Sequence, residues 1–473
     1  MKRVKSIVVS FVCFCLVSAG DAWGASSVTM AASNAVRGPW IGFGVNWQAL
    51  NYSSTTPSES DWTSIYTPRL QWMKPRIVRL MMGAGFINPT GTYNFNTTYM
   101  TQLYRILDYC QANSIPVLIT EWGNGWTPVQ VTGWKLGDAN YVNAIGAYMN
   151  YLINTKGYTC IKWFALGNEP NYDPDNYPNG ISDYIAAITA VRNKFSSLGL
   201  TGFTIAGPDT SNADDWVTSV ASSNNTLVGA YDMHRYESVS YLPSGGFESS
   251  LNSIWNSVIN SDPNQSGKPF MIGEAGMADG MSQDSNTNIG TFNYGLWMAD
   301  YGVQAARGKV GAVMIWSLDN NGVSGQDWGL WQSKAKGYTL YPWWYTWSLL
   351  SRCVPTGATI YAPTNPNSSV RVMGARTTSG EWTFVAVNQG SSSMDLNFIA
   401  SENTQQTFSR YLYSSSSQLV DSSGFPVASA TVQGTPSAGV LSTVPANSVM
   451  VLTSVGKSSV PAAPQNLKVT GAK

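Results

Sequence analysis

The chain has 473 residues, more than one average domain, so we expect one large unit and at least one smaller one. Its 27 basic residues balance 27 acidic residues, which argues against nucleic acid and anionic membranes as partners, because both attract basic patches. One histidine excludes histidine-rich metal sites, and no group of Cys and His in the sequence has metal-ligand spacing.

The N-terminus has the pattern of a secretory signal peptide. Lys2, Arg3 and Lys5 precede an apolar run over 7–19, and small residues follow at positions 20–25. A permanent membrane anchor is the alternative, but the run is too short to span a bilayer. We therefore expect residues 1–25 to be removed, the protein to be secreted to an extracellular location, and the mature chain to stay out of the membrane.

Eight apolar segments predict buried strands joined by helices. The strands are expected at about 41–47, 76–82, 116–122, 161–168, 203–208, 229–235, 269–275 and 311–317. The helical patterns between them include Tyr99–Asn113, Tyr141–Thr155, Ser182–Leu198 and Asn286–Ala306. This α/β alternation predicts a parallel sheet, and eight units fit a closed (β/α)₈ TIM barrel over residues 26–352. A doubly wound open sheet is the alternative, and it explains less well why polar residues end so many strands.

A smaller all-β sandwich domain is expected after the barrel, over residues 353–457. Short alternating segments occur there between turns rich in Ser, Gly and Pro, at Ser369–Ala375, Trp382–Val387, Thr407–Tyr413 and Ser448–Val455. Residues 26–38 are a candidate for an extra strand of this domain. Residues 458–473 resemble a linker or the start of a fibronectin III-like module.

The three cysteines outside the signal peptide are Cys110, Cys160 and Cys353. A bridge between Cys110 and Cys160 is one reading in an oxidising compartment, although sequence does not fix pairing. Buried single thiols are the favoured reading.

Two glutamates end apolar strands. Glu169 follows Trp163-Phe164-Ala165-Leu166-Gly167-Asn168, and Glu274 follows Phe270-Met271-Ile272-Gly273. They belong to the fourth and seventh predicted strands, which face each other across a closed barrel. One carboxyl that donates a proton and one that acts as nucleophile or base are the minimum for cutting a glycosidic bond. Sequence gives no distance between them.

Further polar and aromatic residues occupy predicted strand ends. The single histidine, His234, shares a strand face with Tyr236, while Arg235 points away. A hydrogen-bonded histidine in the core is the alternative interpretation, but the strand-end position beside a tyrosine favours a functional role. Four tryptophans in predicted strand-end loops are candidates for stacking on sugar rings, with core packing as the alternative: Trp47, Trp122, Trp126 and Trp328.

These residues resemble the clan A glycoside hydrolases, a barrel group that includes families 5, 30, 39 and 79. Asn168-Glu169-Pro170 is similar to the clan's acid/base motif, Glu274 to its nucleophile, Arg79 to a family 5 arginine, His234 and Tyr236 to a histidine–tyrosine pair, and Trp316 to a strand-8 tryptophan. The resemblance covers about residues 36–350 and implies a retaining mechanism.

The resemblance also implies roles for the neighbouring residues. Arg79 is expected to keep Glu274 ionised and Tyr236 to orient it, Asn168 to bind a sugar 2-hydroxyl, and Trp316 to lie under the sugar. Glu169 has to be protonated near neutral pH, which requires burial or a neighbouring carboxylate. Asn168 and Glu169 both reach the site only if the strand ends there.

The sequence departs from family 5 at Ile119-Thr120-Glu121-Trp122, which lacks a histidine that many members have at that strand end. The trailing β domain is more similar to families 30, 39 and 79. Glu121 is a third carboxylate near the expected mouth, and with Trp47 and Trp122 it is a candidate substrate contact.

The prediction is therefore a secreted retaining glycosidase without metal or cofactor. Its carbohydrate substrate is expected to have equatorial, β-type bonds in a neutral plant or microbial glycan, although α-L-arabinosides are also cleaved within the clan. A non-catalytic glycan-binding barrel and a transglycosylase using the same glutamates are the alternatives. The sugar, the linkage and the oligomeric state are left open.

Overall fold

The computed structural model describes residues 24–36, 40–48, 52, 56–122, 131–282, 285–320 and 327–456. Nearly all of the predicted signal peptide, Trp126 and the tail 458–473 lie outside the described residues. Within the described part, no helix is both long and apolar enough to cross a bilayer.

A closed barrel of eight parallel strands forms the larger part of the protein, as the sequence predicts. After a first strand, Ser26–Met30 (β1), the barrel strands are Gly42–Asn46 (β2), Val78–Met82 (β3), Val117–Glu121 (β4), Ile161–Ala165 (β5), Thr204–Ser211 (β6), Ala230–Glu237 (β7), Phe270–Met277 (β8) and Ala312–Ile315 (β9). β2 closes the barrel by pairing with β9.

Helices connect these strands and cover the barrel. They are Glu59–Asp61, Thr67–Met73, Thr98–Ala112, Ala139–Asn150, Ile181–Ser197, Asp214–Ser223, Gly246–Ser261, Phe292–Arg307 and Trp343–Cys353, with π turns at Trp62–Tyr66 and Tyr151–Thr155. Short 3₁₀ turns occur at Ala32–Asn34, Ala84–Phe86, Pro170–Tyr172, Asn225–Leu227, Gln265–Gly267 and Lys334–Lys336. The predicted helices at 99–113, 141–155 and 182–198 are confirmed within about two residues. The predicted helix Asn286–Ala306 begins later, at Phe292, where Thr291 caps it by accepting from the Tyr294 N–H.

The lower part of the barrel is filled with side chains, so the barrel is a packed core and not a pore. Leu118, Ala165, Ala206, Met271 and Met314 belong to one buried apolar cluster there. A functional cavity is therefore confined to the other end, where the strands have their carboxyl termini and where β/α barrels place their loops.

The β domain contains two sheets with a buried aromatic core, as predicted. Its further strands are Thr359–Tyr361 (β10), Val370–Arg376 (β11), Trp382–Asn388 (β12), Met394–Ala400 (β13), Gln406–Ser414 (β14), Ser417–Gln418 (β15), Ala430–Gly434 (β16), Val440–Val444 (β17) and Ser448–Thr453 (β18). One sheet has the order β10-β11-β12-β18-β14-β15 with β16 on β14, and the other has the order β1-β13-β17. Phe384, Phe398 and Phe408 pack between them.

The strand β1 joins the β domain and not the barrel. It pairs in parallel with β13, Ser26 lying opposite Leu396. Val28 and Met30 alternate with exposed residues and enter the core of the β domain. The expectation that residues 26–38 add a strand to this domain is confirmed.

Cys110, Cys160 and Cys353 are free and buried, in agreement with the favoured reading. Burial raises the pKa of Cys110 well above its ordinary value and that of Cys160 to about 11, so both stay as thiols near neutral pH.

A buried charge network joins the barrel to the β domain. Asp300, on helix Phe292–Arg307, accepts from Arg371 Nε of β11 at 2.6 Å. Its other oxygen accepts from Gln304 at 2.9 Å and from Gln389 at 2.8 Å. Both charged side chains are nearly inaccessible, at 1% for Asp300 and 9% for Arg371. The contact fixes the two units to each other.

Replacement of Asp300 by Ala is expected to lower the free energy of unfolding by about 3–5 kcal/mol, because Arg371 would stay buried without its nearest counter-charge, leaving only Glu248 at 3.9 Å. Urea unfolding followed by circular dichroism measures the change. The control is Glu59→Ala, which breaks an ion pair with Arg105. The side chain of Glu59 is 85% exposed. The control is expected to have a much smaller effect, and equal effects of the two changes would contradict the argument.

Candidate active site

Most of the predicted site residues meet at the carboxyl end of the barrel around a buried arginine. Arg79, on β3, has no exposed surface. It donates to Thr120 Oγ1 at 2.9 Å, Asn46 Oδ1 at 2.9 Å, Glu274 Oε1 at 2.7 Å, Asn168 Oδ1 at 2.8 Å and Asp209 Oδ2 at 2.8 Å. Burial lowers its pKa, but the charges of Asp209 and Glu274 outweigh burial and raise the pKa above the ordinary value. Arg79 is thus a fixed cation.

Both carboxylate oxygens of Glu274 have a donor. Oε1 accepts from Arg79, and Oε2 accepts from the Tyr236 hydroxyl at 2.9 Å. Burial, followed by the charges of Glu274 and Glu169, raises the pKa of Tyr236 well above its ordinary value, so this hydroxyl remains a donor. Arg79 and Tyr236 therefore both contact Glu274, and their expected roles stay predictions. Glu274 is 5% exposed and has a fixed orientation.

The chain turns sharply between β5 and Glu169, which allows two consecutive side chains to enter the site. β5 ends at Ala165, and Gly167 and Glu169 have φ values of +78° and +51°. Asn168 then accepts from Arg79, while Glu169 contacts His234. Pro170 begins a 3₁₀ turn that prevents the strand from continuing. The expected strand end before Asn168 is confirmed.

His234, on β7, lies between carboxylates. Its Nδ1 is 2.9 Å from Glu169 Oε1 and 3.8 Å from Glu274 Oε2, and its Nε2 is 3.3 Å from Asp209 Oδ1. Burial lowers the pKa of the ring, but the charges of Glu274 and Asp209 outweigh burial and raise the pKa to about 10. The ring is therefore an imidazolium near neutral pH. Arg235 points away, as predicted, and pairs with Asp214 and Glu237.

Charge on His234 changes the expected protonation of Glu169. Burial raises the pKa of Glu169, but the hydrogen bond and charge of His234 outweigh burial and lower it below the ordinary value. The sequence predicted that burial or a neighbouring carboxylate would raise this pKa. The difference arises because the nearest charged neighbour is a cation. Without substrate, the protonated form of Glu169 increases only as the pH falls.

Glu169 and Glu274 converge closely. One ligand atom from each of Glu169, His234 and Glu274 forms a set within 4.8 Å of one another. Carboxyl groups about 5–5.5 Å apart are typical of retaining glycosidases, and about 6.5–9.5 Å of inverting ones. The same three residues have the composition of a metal site, but Arg79 and Tyr236 already occupy both oxygens of Glu274. With these two donors, Glu274 is arranged as a carboxylate held in place by hydrogen bonds, not as a ligand of a metal ion.

Asp209 is a site residue that the sequence analysis missed. It lies in β6 after Gly207-Pro208, has a φ of +59°, and is fully buried. Its backbone oxygen accepts from the Glu169 N–H at 3.1 Å. A signal was present, because Asp209 is the first residue after the predicted strand 203–208 and so obeys the strand-end rule that found Glu169.

Aromatic rings adjoin the glutamates at the mouth. Trp316 lies after β9, is 9% exposed, and packs with Trp122 at a ring distance of 5.7 Å. Trp328 joins the same cluster and lies 6.2 Å from the ring of Tyr236. The positions of Trp316 and Trp122 fit the predicted contacts with sugar, which stay predictions.

Trp47 and Glu121 do not fit the predicted substrate contacts, because neither has exposed surface. Trp47 lies in the main hydrophobic core, where its Nε1 donates to Tyr52 and its ring packs 5.7 Å from Trp62. Glu121 ends β4 below the surface of the mouth. The prediction for Trp47 is wrong because aromatic residues that follow β2 in the chain, Tyr52 and Trp62, cover its ring.

A closed (β/α)₈ barrel whose fourth and seventh strands bring two glutamates together, followed by a β domain, has the architecture of a clan A glycoside hydrolase. Residues 41–322 match the model of the cellulase family, glycosyl hydrolase family 5. Because the match spans more than half of the chain, the protein belongs to glycosyl hydrolase family 5.

Solved structures with the same fold have low sequence identity. A family 30 endoxylanase from Clostridium papyrosolvens C71 is 15% identical at a TM-score of 0.64, covering 91% of this chain and 100% of its own. The catalytic domain of family 30 xylanase C from Talaromyces cellulolyticus is 18% identical at 0.65, covering 90% and 99%. A family 39 enzyme from Xanthomonas axonopodis pv. citri is 12% identical at 0.61, covering 93% and 99%. The likeness extends over the barrel and the β domain together.

A search among curated proteins gives no match to the sequence.

Proposed function

We propose that this glycoside hydrolase is a secreted, retaining enzyme that cleaves equatorial, β-type bonds in a neutral plant or microbial poly- or oligosaccharide. The observation behind the proposal is that one carboxylate oxygen of Glu169 and one of Glu274 lie within 4.8 Å of each other at the barrel mouth, which supports a close pair of the kind that retaining enzymes use. No step requires a metal or a cofactor.

In the first step, Glu274 attacks the anomeric carbon while Glu169 protonates the departing glycosidic oxygen. The contacts with Arg79 and Tyr236 suit a nucleophile, because they give each carboxylate oxygen a donor and fix the direction of the side chain. A bound sugar would displace water from Glu169 and raise its pKa towards the protonated form that this step needs. The leaving group departs as an alcohol, and the sugar stays bonded to Glu274.

In the second step, Glu169 removes a proton from water, whose oxygen attacks the anomeric carbon and releases Glu274. The charge of His234 favours the ionised form of Glu169 that acts as base here. Two inversions give net retention of configuration.

Support for the class of substrate comes from the surface and from structures with the same fold. Charged residues are only 11% of the chain, and the mouth has indole rings that suit pyranose faces. The solved structures of similar fold include two enzymes named as xylanases and one named as an endo-β1,6-glucanase. Secretion is supported by the N-terminal pattern of basic, apolar and small residues.

The stereochemical outcome tests the mechanism. The chain from residue 26 is incubated with a panel of xylans, β-glucans and mannans and with activated aryl β-glycosides, and the released sugar is followed by ¹H NMR from the first minute. We expect the β-anomer to form first and to mutarotate later. First appearance of the α-anomer would show inversion, and absence of cleavage across the panel and the aryl glycosides would contradict the proposed substrate class.

A further inference from the structure

Two buried aspartates lie next to the catalytic glutamates, and the reaction as written above uses neither. Asp209 on β6 contacts Arg79 and His234. Asp232 on β7 precedes His234 by two residues and therefore lies on the same face of the strand. Both are fully buried. Ionised carboxylates are costly to bury without partners, so each one needs a physical account.

Each ring nitrogen of His234 faces a carboxyl oxygen. Nδ1 faces Glu169 Oε1 at 2.9 Å, and Nε2 faces Asp209 Oδ1 at 3.3 Å. An ionised carboxylate only accepts hydrogen bonds, and a neutral imidazole has one N–H. Either the ring has both protons, or one of the two carboxyls is protonated. The protonation of Asp209 therefore affects whether Nδ1 has an N–H to donate to Glu169.

Asp232 occupies a space that the chain leaves free for it. A Cβ on Gly273, the residue before Glu274, would lie 2.8 Å from both Asp232 oxygens. As a carboxylate, Asp232 finds no hydrogen-bond donor among the described residues. As a carboxylic acid, it would have a proton to donate to Asp209, and burial followed by the charge of Asp209 raises its pKa well above the ordinary value. A neutral Asp232 resolves the missing donor.

Charged and titratable groups from several elements act on the two aspartates, including Glu169 after β5 and the buried phenol of Tyr177, whose pKa is raised by burial first and by Asp209 among nearby carboxylates. Arg79 on β3 and His234 on β7 are the cations, and Tyr184 on helix Ile181–Ser197 is a buried phenol whose pKa burial and both aspartates raise. Glu274 on β8 adds a negative charge at His234. Asp209 as a simple counter-ion of Arg79 would account for one contact, but it would leave Asp232 without a purpose.

We propose that Asp209 and Asp232 are positioning residues that share one proton beside His234 and hold its Nδ1–H towards Oε1 of Glu169, so that the catalytic proton is exchanged at Oε2. The catalytic part of this inference rests on the proposed function. In the first step the bond from Oε2 of Glu169 to its proton breaks and an O–H bond forms on the leaving group. In the second step a proton of water returns to Oε2. His234, Asp209 and Asp232 end each step with the protons they had at its start.

One histidine in the chain makes the test direct, because a ¹⁵N-histidine-labelled protein gives a single pair of ring nitrogen signals, those of His234. In the whole protein without substrate, we expect both nitrogens to be protonated at pH 7 and the ring to titrate with a pKa of about 10. A bare nitrogen at pH 7 with an ionised Glu169 would overturn the inference.

Asp209→Asn tests the role of the first aspartate. Loss of the anion at Nε2 is expected to lower the pKa of His234 by about 1–3 units. The negative charge of Asp209 also raises the pKa of Glu169, and the ring keeps its charge in the range where Glu169 titrates, so loss of Asp209 moves the alkaline limb of kcat/KM to lower pH. An unchanged ring titration in a folded variant, checked by near-UV circular dichroism, would overturn the role. If this variant does not fold, the titration of the wild-type ring decides.

Asp232 is tested by a matched pair of variants with similar shape. Asn keeps a neutral donor to Asp209, whereas Val removes it. We expect Asp232→Val to lose kcat/KM by roughly tenfold or more and to change the pH profile, while Asp232→Asn restores both. An infrared carbonyl band of a buried protonated carboxyl should vanish in Asp232→Asn. If the Asn variant instead moves the His234 titration as Asp209→Asn does, Asp232 is charged and the inference is wrong.

The two proposals fail separately. Ring titration and the infrared band need no substrate, so an enzyme of another specificity would leave them unchanged. A neutral His234, in contrast, would leave the retaining outcome of the NMR product assay intact.

Discussion

Glu274→Ala is expected to abolish turnover, with kcat falling by a factor on the order of 10⁵ or more, as for other covalent nucleophiles. Glu274 is the carboxylate that Arg79 and Tyr236 orient, and among the described residues no other acid shares that pair of donors. Alanine removes the attacking atom and leaves a small space beside the anomeric carbon.

Chemical rescue distinguishes a lost nucleophile from a damaged site. Added azide or formate should occupy the space and attack activated aryl β-glycosides, giving a product with the α configuration. The control is Glu237→Gln, which alters a glutamate at the same barrel end that pairs with Arg235 instead of the site. Normal activity of Glu274→Ala, or rescue with retention, would contradict the assignment.

Glu169→Ala is expected to cause the second large loss of activity, and the size of the loss should depend on the leaving group. Polysaccharide cleavage should fall by about 10²–10⁴, because the departing alkoxide loses its proton donor. Aryl glycosides with acidic phenols need no proton, so their first step should remain fast. Loss of the base then slows the second step, and a burst of phenol should precede slow turnover.

Measurement of kcat/KM across phenols of different acidity tests this expectation. A steep dependence on leaving-group pKa in Glu169→Ala, against a shallow one in the wild type, supports Glu169 as the acid. The alkaline limb of the pH profile should also disappear in the variant. Equal losses for good and poor leaving groups would point to a structural role instead.

The barrel was predictable because its signal is local and repeated. Each βα unit combines an apolar strand with an amphipathic helix, and all eight predicted strands begin within two residues of the observed positions. Pairing of β1 with β13 connects residues about 370 apart, Ser26 with Leu396, and a local pattern only suggests such a strand.

The strand-end rule placed Glu169, Glu274, His234 and Tyr236 together, because carboxyl ends of parallel strands meet at one edge. It failed for Trp47, since the rule says where a strand ends but not what the following loop covers. The charge of His234 could not be predicted from the sequence, for a different reason. Its pKa depends on burial and on the charges of Glu274, Asp209 and Arg79, which come from three other strands, and only their distances decide the sum.

The pairing of β1 with β13 also constrains the order of events during translation. Ser26–Met30 leaves the ribosome before the barrel, yet its partner Met394–Ala400 is made only after the whole barrel. The N-terminal strand therefore has to wait, with Val28 and Met30 uncovered, until nearly the whole chain has emerged. A barrel cut from its β domain at residue 352 would leave that strand permanently without its pairing partner. The N-terminal strand and the β domain therefore form one structural unit and are best engineered together.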